Sequence, residues 1–322
     1  MTRTFHDTPA VREQTPVFVG LVGPSGGGKT FSALRLATGI QSVTGGDIYG
    51  IDSEADRMKA YADQFKFRHV PFGAPFSPLD YLAAIEHCVS KGAKTIVIDS
   101  MSHEHEGPGG LLEMHEREMG GNFKKQMIAW AKPKAARRRL INAILQVKAN
   151  FIFCFRAKEK MKIVPGKDPV PLGFMAIGGE EWIYEMTVAT LLLPNANGVP
   201  LWQSEQIGER LTIKLPQQFR SVFHTGEQLG EAHGAAMARW AAGGVARTPV
   251  DDLVSRYSKC DEDGFAALEG ERKTLWATLK GKTDEQARLK AAAQDAQDRL
   301  KEERDYLEAN GASEGELEKA AG

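Results

Sequence analysis

Residues 23–30 read Gly-Pro-Ser-Gly-Gly-Gly-Lys-Thr, which fits G-x-x-x-x-G-K-[ST], and they lie between the apolar run VFVGLVG (17–23) and the amphipathic FSALRLATGI (31–40). A buried strand, a glycine-rich turn and a helix in that order constrain the chain to an α/β architecture. In such a turn successive backbone N–H groups converge on an anion at the positive end of the helix. Gly23, Pro24, Ser25, Gly26, Gly27 and Gly28 would form this cradle. Lys29 would reach the β and γ phosphates of a nucleotide such as ATP, and the Thr30 hydroxyl would ligate Mg²⁺. The bland alternative is a glycine-rich βα turn with no ligand.

The surroundings of this motif keep the same grammar. Apolar, β-branched runs at 17–23, 47–52 (DIYGID), 95–100 (TIVIDS) and 150–156 (NFIFCFR) alternate with helix-length segments that start near Lys29, Ser53, Ser77 and Leu111. That alternation predicts βαβ units around a parallel sheet covered on both faces. From Trp182 the pattern changes to MTVATLLLP, VPLWQ and RLTIKLP with Asn195, Asn197 and Gly198 as turn residues, which predicts antiparallel strands extending the sheet. A helix is expected over about 227–240. The fold class is therefore α/β, a P-loop core with a mostly parallel sheet extended by antiparallel strands, plus a C-terminal helical appendage. The expected divisions are a flexible arm (1–16), the core domain (17–242), a linker (243–250) and an acidic helical region (251–322).

Residues 251–309 are rich in Ala, Glu, Lys, Gln and Arg, with Leu289, Ala293, Ala296, Leu300 and Leu307 near 3.5-residue spacing. A helical hairpin, a helix docked on the body and a coiled coil all satisfy that stripe, and the final ASEGELEKAAG is expected to fray. Of the 41 basic and 42 acidic residues, 12 and 18 fall in 251–322, which leaves 29 basic against 24 acidic in the first 250. A mildly basic body suits a polyanionic partner and equally a plain solvated surface.

With 42% apolar and 26% charged residues the 322-residue chain has ordinary globular usage, which excludes wholesale disorder and collagen. No apolar run reaches the ~18 to 20 residues of a membrane span. The opening MTRTFHDTPAVREQTP has no apolar core of a secretory signal. Cys88, Cys154 and Cys260 are too scattered for a disulfide framework, so the expected setting is a reducing cytoplasm with no membrane.

A nucleotide-bound Mg²⁺ needs a second anchor on a neighbouring strand, and Asp99, closing TIVID, meets that need. Strand ends in open α/β sheets face the ligand crevice. Asp52 and Glu54 in IDSEAD therefore point there too, and Glu54 is placed to orient an attacking water. Its alternative role is a first-turn acid stabilising a helix dipole.

On these motifs the chain resembles the RecA-like recombination ATPases, and within them the phage-encoded single-strand annealing and recombination ATPases, over roughly residues 17–220. GPSGGGKT is similar to the family's phosphate loop. IDSEADRMKAYA is similar to the segment that holds its catalytic glutamate and an adenine-packing tyrosine, which would be Glu54 and Tyr61. VIDSMS (97–102) resembles the Walker B strand, with Asp99 as the metal-linked acid. FIFCFRAKEKMKI (151–163) resembles the strand ending in the γ-phosphate sensor, ordinarily an amide, with Arg156 at or beside that place. The resemblance further implies DNA loops at 103–122 and at Lys158 to Gly179, the latter carrying Lys158, Lys160, Lys162 and Lys167, and a cation near Lys214 directed at a neighbouring subunit's nucleotide. It implies Lys29, Glu54 and Arg156 as catalytic residues of an ATP hydrolase that uses Mg²⁺ and acts on single-stranded DNA in phage-type recombination, annealing or replication, in a bacterial host cytoplasm. A homo-oligomer or filament, and a replication or recombination protein recruited by the tail, are the other implied partners.

Weaker signals admit two readings each. His103, His105, His115, Glu104 and Glu106 could ligate Zn²⁺, although their spacing is not H-E-x-x-H, or they could gate hydrolysis, with Glu104 a secondary catalytic candidate. In KKQMIAWAKPKAARRRLINAILQ, Lys124, Lys125, Lys132, Lys134, Arg137, Arg138 and Arg139 with Trp130 could pair with phosphates and stack a base. Alternatively they form a solvated face opposite Trp130, Leu140, Ile141 and Ile144, with Pro133 breaking or kinking the helix. Trp182, Trp202 and Trp240 read as core or interface aromatics. Two rival functions are a nucleotide-gated scaffold and a small-molecule kinase.

Overall fold

The computed structural model describes residues 15–163, 165–166, 168–243 and 248–309. Residues 1–14 of the expected arm, 244–247 of the expected linker, Lys167 and the tail beyond 309 lie outside them. The chain divides into two compact units, Arg12–Gly244 and one that takes in Val245–Gly322.

The first unit is α/β. Its elements in order are β1 (Phe18–Gly23), α1 (Lys29–Thr44), β2 (Ile48–Asp52), β3 (Arg68–Pro71), α2 (Pro78–Ser90), β4 (Thr95–Asp99), α3 (His103–Glu106), α4 (Leu111–Met119), α5 (Ala131–Gln146), β5 (Asn150–Lys162), β6 (Val170–Ala176), α6 (Glu180–Glu185), β7 (Val188–Leu191), α7 (Ile207–Thr212) and α8 (Glu231–Ala242). Six strands run parallel in the order β3-β2-β4-β5-β1-β7, and β6 pairs antiparallel with the distal part of β5.

Side-chain alternation along the strands divides the core into two layers. Phe18, Val22, Ile96, Ile98, Phe151, Phe153 and Phe155 pack with Tyr81, Ile85, Leu140 and Ile144 of α2 and α5. Val19, Leu21, Val97, Ile152 and Cys154 pack with Leu34, Leu36 and Ile40 of α1 and Met237 of α8. Burial on both faces explains why these strands are almost continuously apolar. Trp182 is fully buried against Phe153, while Trp202 and Trp240 pack on Phe223 and Phe219.

Several expectations are corrected. The parallel β3 lies outside the expected strands, and where a helix was expected after Ser53 there is only a short 3-10 turn at Arg57–Tyr61. Past Trp182 the expected antiparallel strands are absent among the described residues: β7 is parallel to β1, Leu201 and Lys214 make single antiparallel bridges to Leu191 and Ala189, and the first three residues of RLTIKLP close the helix α7. The antiparallel extension comes instead from β5 and β6, so the stretch after Lys158 is a hairpin rather than a loop, and Gly179 caps the helix α6 rather than preceding a strand. Pro133 does not break α5, which runs from Ala131 to Gln146. It is the third helical residue, where a backbone N–H has no intrahelical acceptor to lose.

The second unit holds α9 (Pro249–Tyr257), α10 (Glu262–Thr278) and α11 (Thr283–Ala309). Thr248 caps α9 through the Asp251 backbone N–H, and Asp251 returns a bond to Thr248 N. Leu253 and Tyr257 of α9, Leu268 of α10 and Leu289, Ala293 and Ala296 of α11 share one core, so the stripe in α11 serves intramolecular packing. All three cysteines are free thiols. No helix among the described residues is long and apolar enough to cross a membrane.

Candidate active site

The register of the sheet brings the ends of β1, β2 and β4 beside the middle of β5. Gly23 of β1 pairs with Arg156 of β5, Cys154 of β5 with Asp99 of β4, and Asp99 with Asp52 of β2. Above these ends lies a cavity of about 650 Å³ lined by Pro24, Ser25, Gly26, Gly28, Lys29, Thr30, Glu54, Arg57, Tyr61, Asp99, Glu106 and Arg156, among others. Residues drawn from widely separated segments thus share one wall.

The 23–30 loop takes its shape from its glycines. Gly28 has φ 87°, where an L side chain is strained, and a Cβ there would come within 2.8 Å of Gly198 N. Gly27 lies so close to the carbonyl of Leu192, just past β7, that a Cβ would meet it at 2.5 Å. Gly198 N in turn donates to Gly27 O at 3.2 Å, so the 195–198 turn braces the loop from behind. Lys29 folds back over the loop, its Nζ donating to the carbonyls of Gly23 and Pro24 at 2.8 Å each.

Thr30 Oγ1 donates to Asp99 Oδ2 at 2.5 Å. Burial pushes the Asp99 carboxyl up to about 6, against the Thr30 hydrogen bond and the Lys29 charge, with Glu54 and Asp52 adding repulsion. A buried acid beside a hydroxyl is a hard, all-oxygen donor pair, and a divalent cation there would favour the ionised form that burial opposes.

Glu54 lies on the cavity wall and does not serve a helix dipole. Arg156 Nε donates to its Oε1 at 2.8 Å and Nη2 to its Oε2 at 2.6 Å. His103 Nε2 and Arg57 Nη1 each stand 3.9 Å from the carboxylate. Burial alone would raise the Glu54 carboxyl, but the Arg156 guanidinium outweighs it and holds the group below the ordinary range. Tyr61 reaches the same cavity with its ring 5.9 Å from that of Phe31, and Phe31 also packs on Phe65.

A second set of contacts fixes the Glu54 turn against β4. Ser53 Oγ donates to Ser100 O at 3.0 Å and accepts from Ser100 N at 2.8 Å, His103 Nδ1 lies 2.8 Å from it, and Tyr81 donates to Ser100 O at 2.7 Å. Asp52 accepts from Glu54 N and Met58 N at 2.9 Å each, so it shapes the turn. Sequence reasoning missed Arg57 and Glu106 as cavity residues and Ser53 as a brace. Arg57 and Ser53 fall inside the IDSEADR segment, whose strand-end acids are the signal that points to them.

Other candidates land elsewhere. His103, His105 and His115 do not converge: His103 stacks on Phe76 and His115 on Trp130. Among the described residues the one grouping with metal-ligand spacing is Asp52, Asp56 and His69. Glu104 is buried and paired with Arg137 of α5, whose Nε lies 3.0 Å from Oε1 and whose Nη2 also bonds Oε2. This removes Glu104 from the cavity and Arg137 from any phosphate-facing set. Trp130 is covered by His115, whereas Phe123, Met127 and Ile128 beside Lys124 and Lys125 are exposed. Lys214 Nζ donates to Tyr184 O at 2.9 Å. Comparison with protein-family models and with curated proteins finds no match to this chain.

Proposed function

We propose that residues 17–242 form a RecA-like, Mg²⁺-dependent ATP hydrolase that works on single-stranded DNA in phage-type recombination, annealing or replication. The observation that carries this reading is the direct Thr30–Asp99 contact at the mouth of the glycine-rich loop, because it joins the two oxygens that nucleotide-bound magnesium requires. The insertion of β5 between β1 and β4, with Arg156 at the point where β5 passes the end of β1, supports the RecA-like assignment.

Backbone N–H groups of 25–30 would hold the phosphates, and Lys29 would leave the carbonyls of Gly23 and Pro24 for the β and γ oxygens. Thr30 and Asp99 would hold the magnesium, which when bound offsets phosphate charge. Tyr61 offers its ring to the base. Glu54 aligns water for in-line attack, since phosphoryl transfer is mostly positioning and electrostatics.

The DNA half of the proposal draws on the hairpin. Lys158, Lys160 and Lys162 alternate on one face of β5, about 6.8 Å apart at the usual antiparallel rise, a spacing suited to successive phosphates of an extended strand. The irregularity in pairing falls on β6, where Leu172 is the extra residue, so the alternation on β5 is intact. Phe123, exposed beside Lys124 and Lys125, supplies a stacking face that Trp130 does not.

The deciding experiment measures ATP hydrolysis with and without a single-stranded oligonucleotide. Hydrolysis that requires magnesium and rises with the oligonucleotide is expected. Turnover indifferent to DNA but dependent on a small acceptor would point to a kinase. A nucleotide-gated scaffold is the second reading, favoured by the helical unit having a core of its own.

A further inference from the structure

Glu54 is not free to act. Both its oxygens are engaged by the Arg156 fork, at 2.8 and 2.6 Å, and a carboxylate held in this way has fewer lone pairs to offer a water. The Arg156 side chain is 41% exposed and faces the same cavity as Lys29 and Thr30. Its backbone is pinned: Arg156 N donates to Ser102 Oγ at 2.9 Å, Ile177 N donates to Arg156 O at 2.8 Å, and Ser102 Oγ donates to Ile177 O at 3.1 Å. The mobile part is therefore the guanidinium alone.

We propose that the Glu54–Arg156 pair is an idle-state latch opened by the terminal phosphate of a nucleoside triphosphate, and this rests on the cavity being a nucleotide site. A guanidinium fork matches a phosphate as well as it matches a carboxylate, so Arg156 can exchange one bidentate partner for the other. The exchange frees Glu54 only when a third phosphate is present. A diphosphate on the 23–30 loop lacks the group that reaches Arg156 and leaves the latch closed. The same contact thus silences the water-orienting acid and makes the cavity discriminate triphosphate from diphosphate. A ligand shifts such an equilibrium only by its differential affinity, so the strength of the pair must reappear as a reduction in triphosphate affinity.

The test is a double-mutant cycle on binding, with the β,γ-imido analogue of ATP and with ADP as probes, both with magnesium. Glu54→Gln is expected to tighten the imido analogue roughly tenfold by releasing Arg156, with ADP unchanged. In an Arg156→Gln background the same Glu54 change is expected to have no effect on either probe. Equal tightening in both backgrounds would mean plain repulsion between Glu54 and phosphate, and would overturn the latch while leaving the nucleotide site standing. Failure of the unaltered chain to bind either probe would instead overturn the site, and the latch with it. Should Arg156→Gln not fold, Arg156→Lys serves: it keeps the charge without the fork, so full retention of the Glu54 effect would overturn the latch.

Discussion

The Thr30 hydroxyl and the Asp99 carboxylate, 69 residues apart in the chain, meet at 2.5 Å across the end of the sheet. If they share a magnesium ion, Asp99→Asn keeps the shape and removes the charge. The expected outcome is hydrolysis lower by about 10²- to 10³-fold, with a magnesium requirement shifted to higher concentration. A pH effect follows as well. The Asp99 carboxyl is pushed up to about 6, so below that pH the nucleotide-free site is protonated and a metal must displace the proton. The magnesium needed for half-maximal activity should rise about tenfold per pH unit below 6 in the parent chain and lose that slope in Asp99→Asn. Titrations of activity with MgCl₂ between pH 5 and 8 check both.

Lys29 is held by the carbonyls of its own loop, contacts a phosphate would replace. Lys29→Ala should abolish measurable turnover and weaken nucleotide binding at least tenfold without unfolding the chain, since the lysine contributes no core packing. Fluorescent nucleotide titration alongside circular dichroism separates the two effects. Unaltered turnover would remove Lys29 from the mechanism.

His105 gives stability a pH signature. Burial, helped by the charges of Arg137, Lys158 and Lys160 and opposed by Glu181, depresses its proton affinity below the ordinary value of 6.5. The unfolded chain therefore binds this proton at a higher pH than the folded one, and stability falls as pH drops through 6.5. Asp99, with its raised value, gives the opposite slope between its ordinary range and about 6. Comparing the parent with His105→Gln cancels the Asp99 contribution. Urea midpoints from pH 5 to 7.5 should fall more steeply toward acid in the parent than in the variant.

The sequence carried those parts of the site whose physics is local. The 23–30 loop, Asp99 closing β4 and Glu54 just past β2 were legible because apolar runs announce buried parallel strands and their ends abut the crevice, whereas Asp52 is buried and shapes the turn instead. The edge strand β3 was not, since RHVP buries too little to show a pattern and its side chains are half-buried at most. The far half of β5 was hidden by its lysines, which read as loop until β6 pairs with them. RLTIKLP has the β-branched residues of a strand, yet Glu209 turns inward to accept from Phe174 N at 3.0 Å and from Ser204 Oγ at 2.6 Å, and that anchorage favours a helical turn. The pairings of Arg156 with Glu54 and of Arg137 with Glu104 span 102 and 33 residues, and nothing in residue spacing reports them.

Lys158, Lys160 and Lys162 should act on DNA as point charges along β5. Changing all three to Ala is expected to weaken single-strand binding at low salt. The slope of log affinity against log salt should shrink by about 0.7 for each phosphate that is no longer neutralised, close to 2 in total. ATP binding without DNA should not change, because none of the three lines the cavity. Fluorescence anisotropy with a labelled oligonucleotide over a salt series reads both. An unchanged slope would move DNA binding to another face, with Phe123, Lys124 and Lys125 next in line.

Glu104 and Arg137 make the most deeply buried ion pair among the described residues, with side chains 1% and 7% exposed. Burial raises the Glu104 carboxyl, and the hydrogen bonds and charge of Arg137 oppose that rise. Removing one member strands a charge in the core, and Arg137→Met should cost about 3 to 5 kcal/mol. Glu181, 3.5 Å from Arg137 Nη1 in the parent chain, is an acid too and would add repulsion to the stranded Glu104. Replacing both, as Glu104→Leu with Arg137→Met, removes the stranded charge and should recover most of that loss. Denaturant midpoints of the two single variants and the double variant decide the matter. If the double variant is as unstable as either single one, the pair matters for packing around α3 and α5 and not for charge.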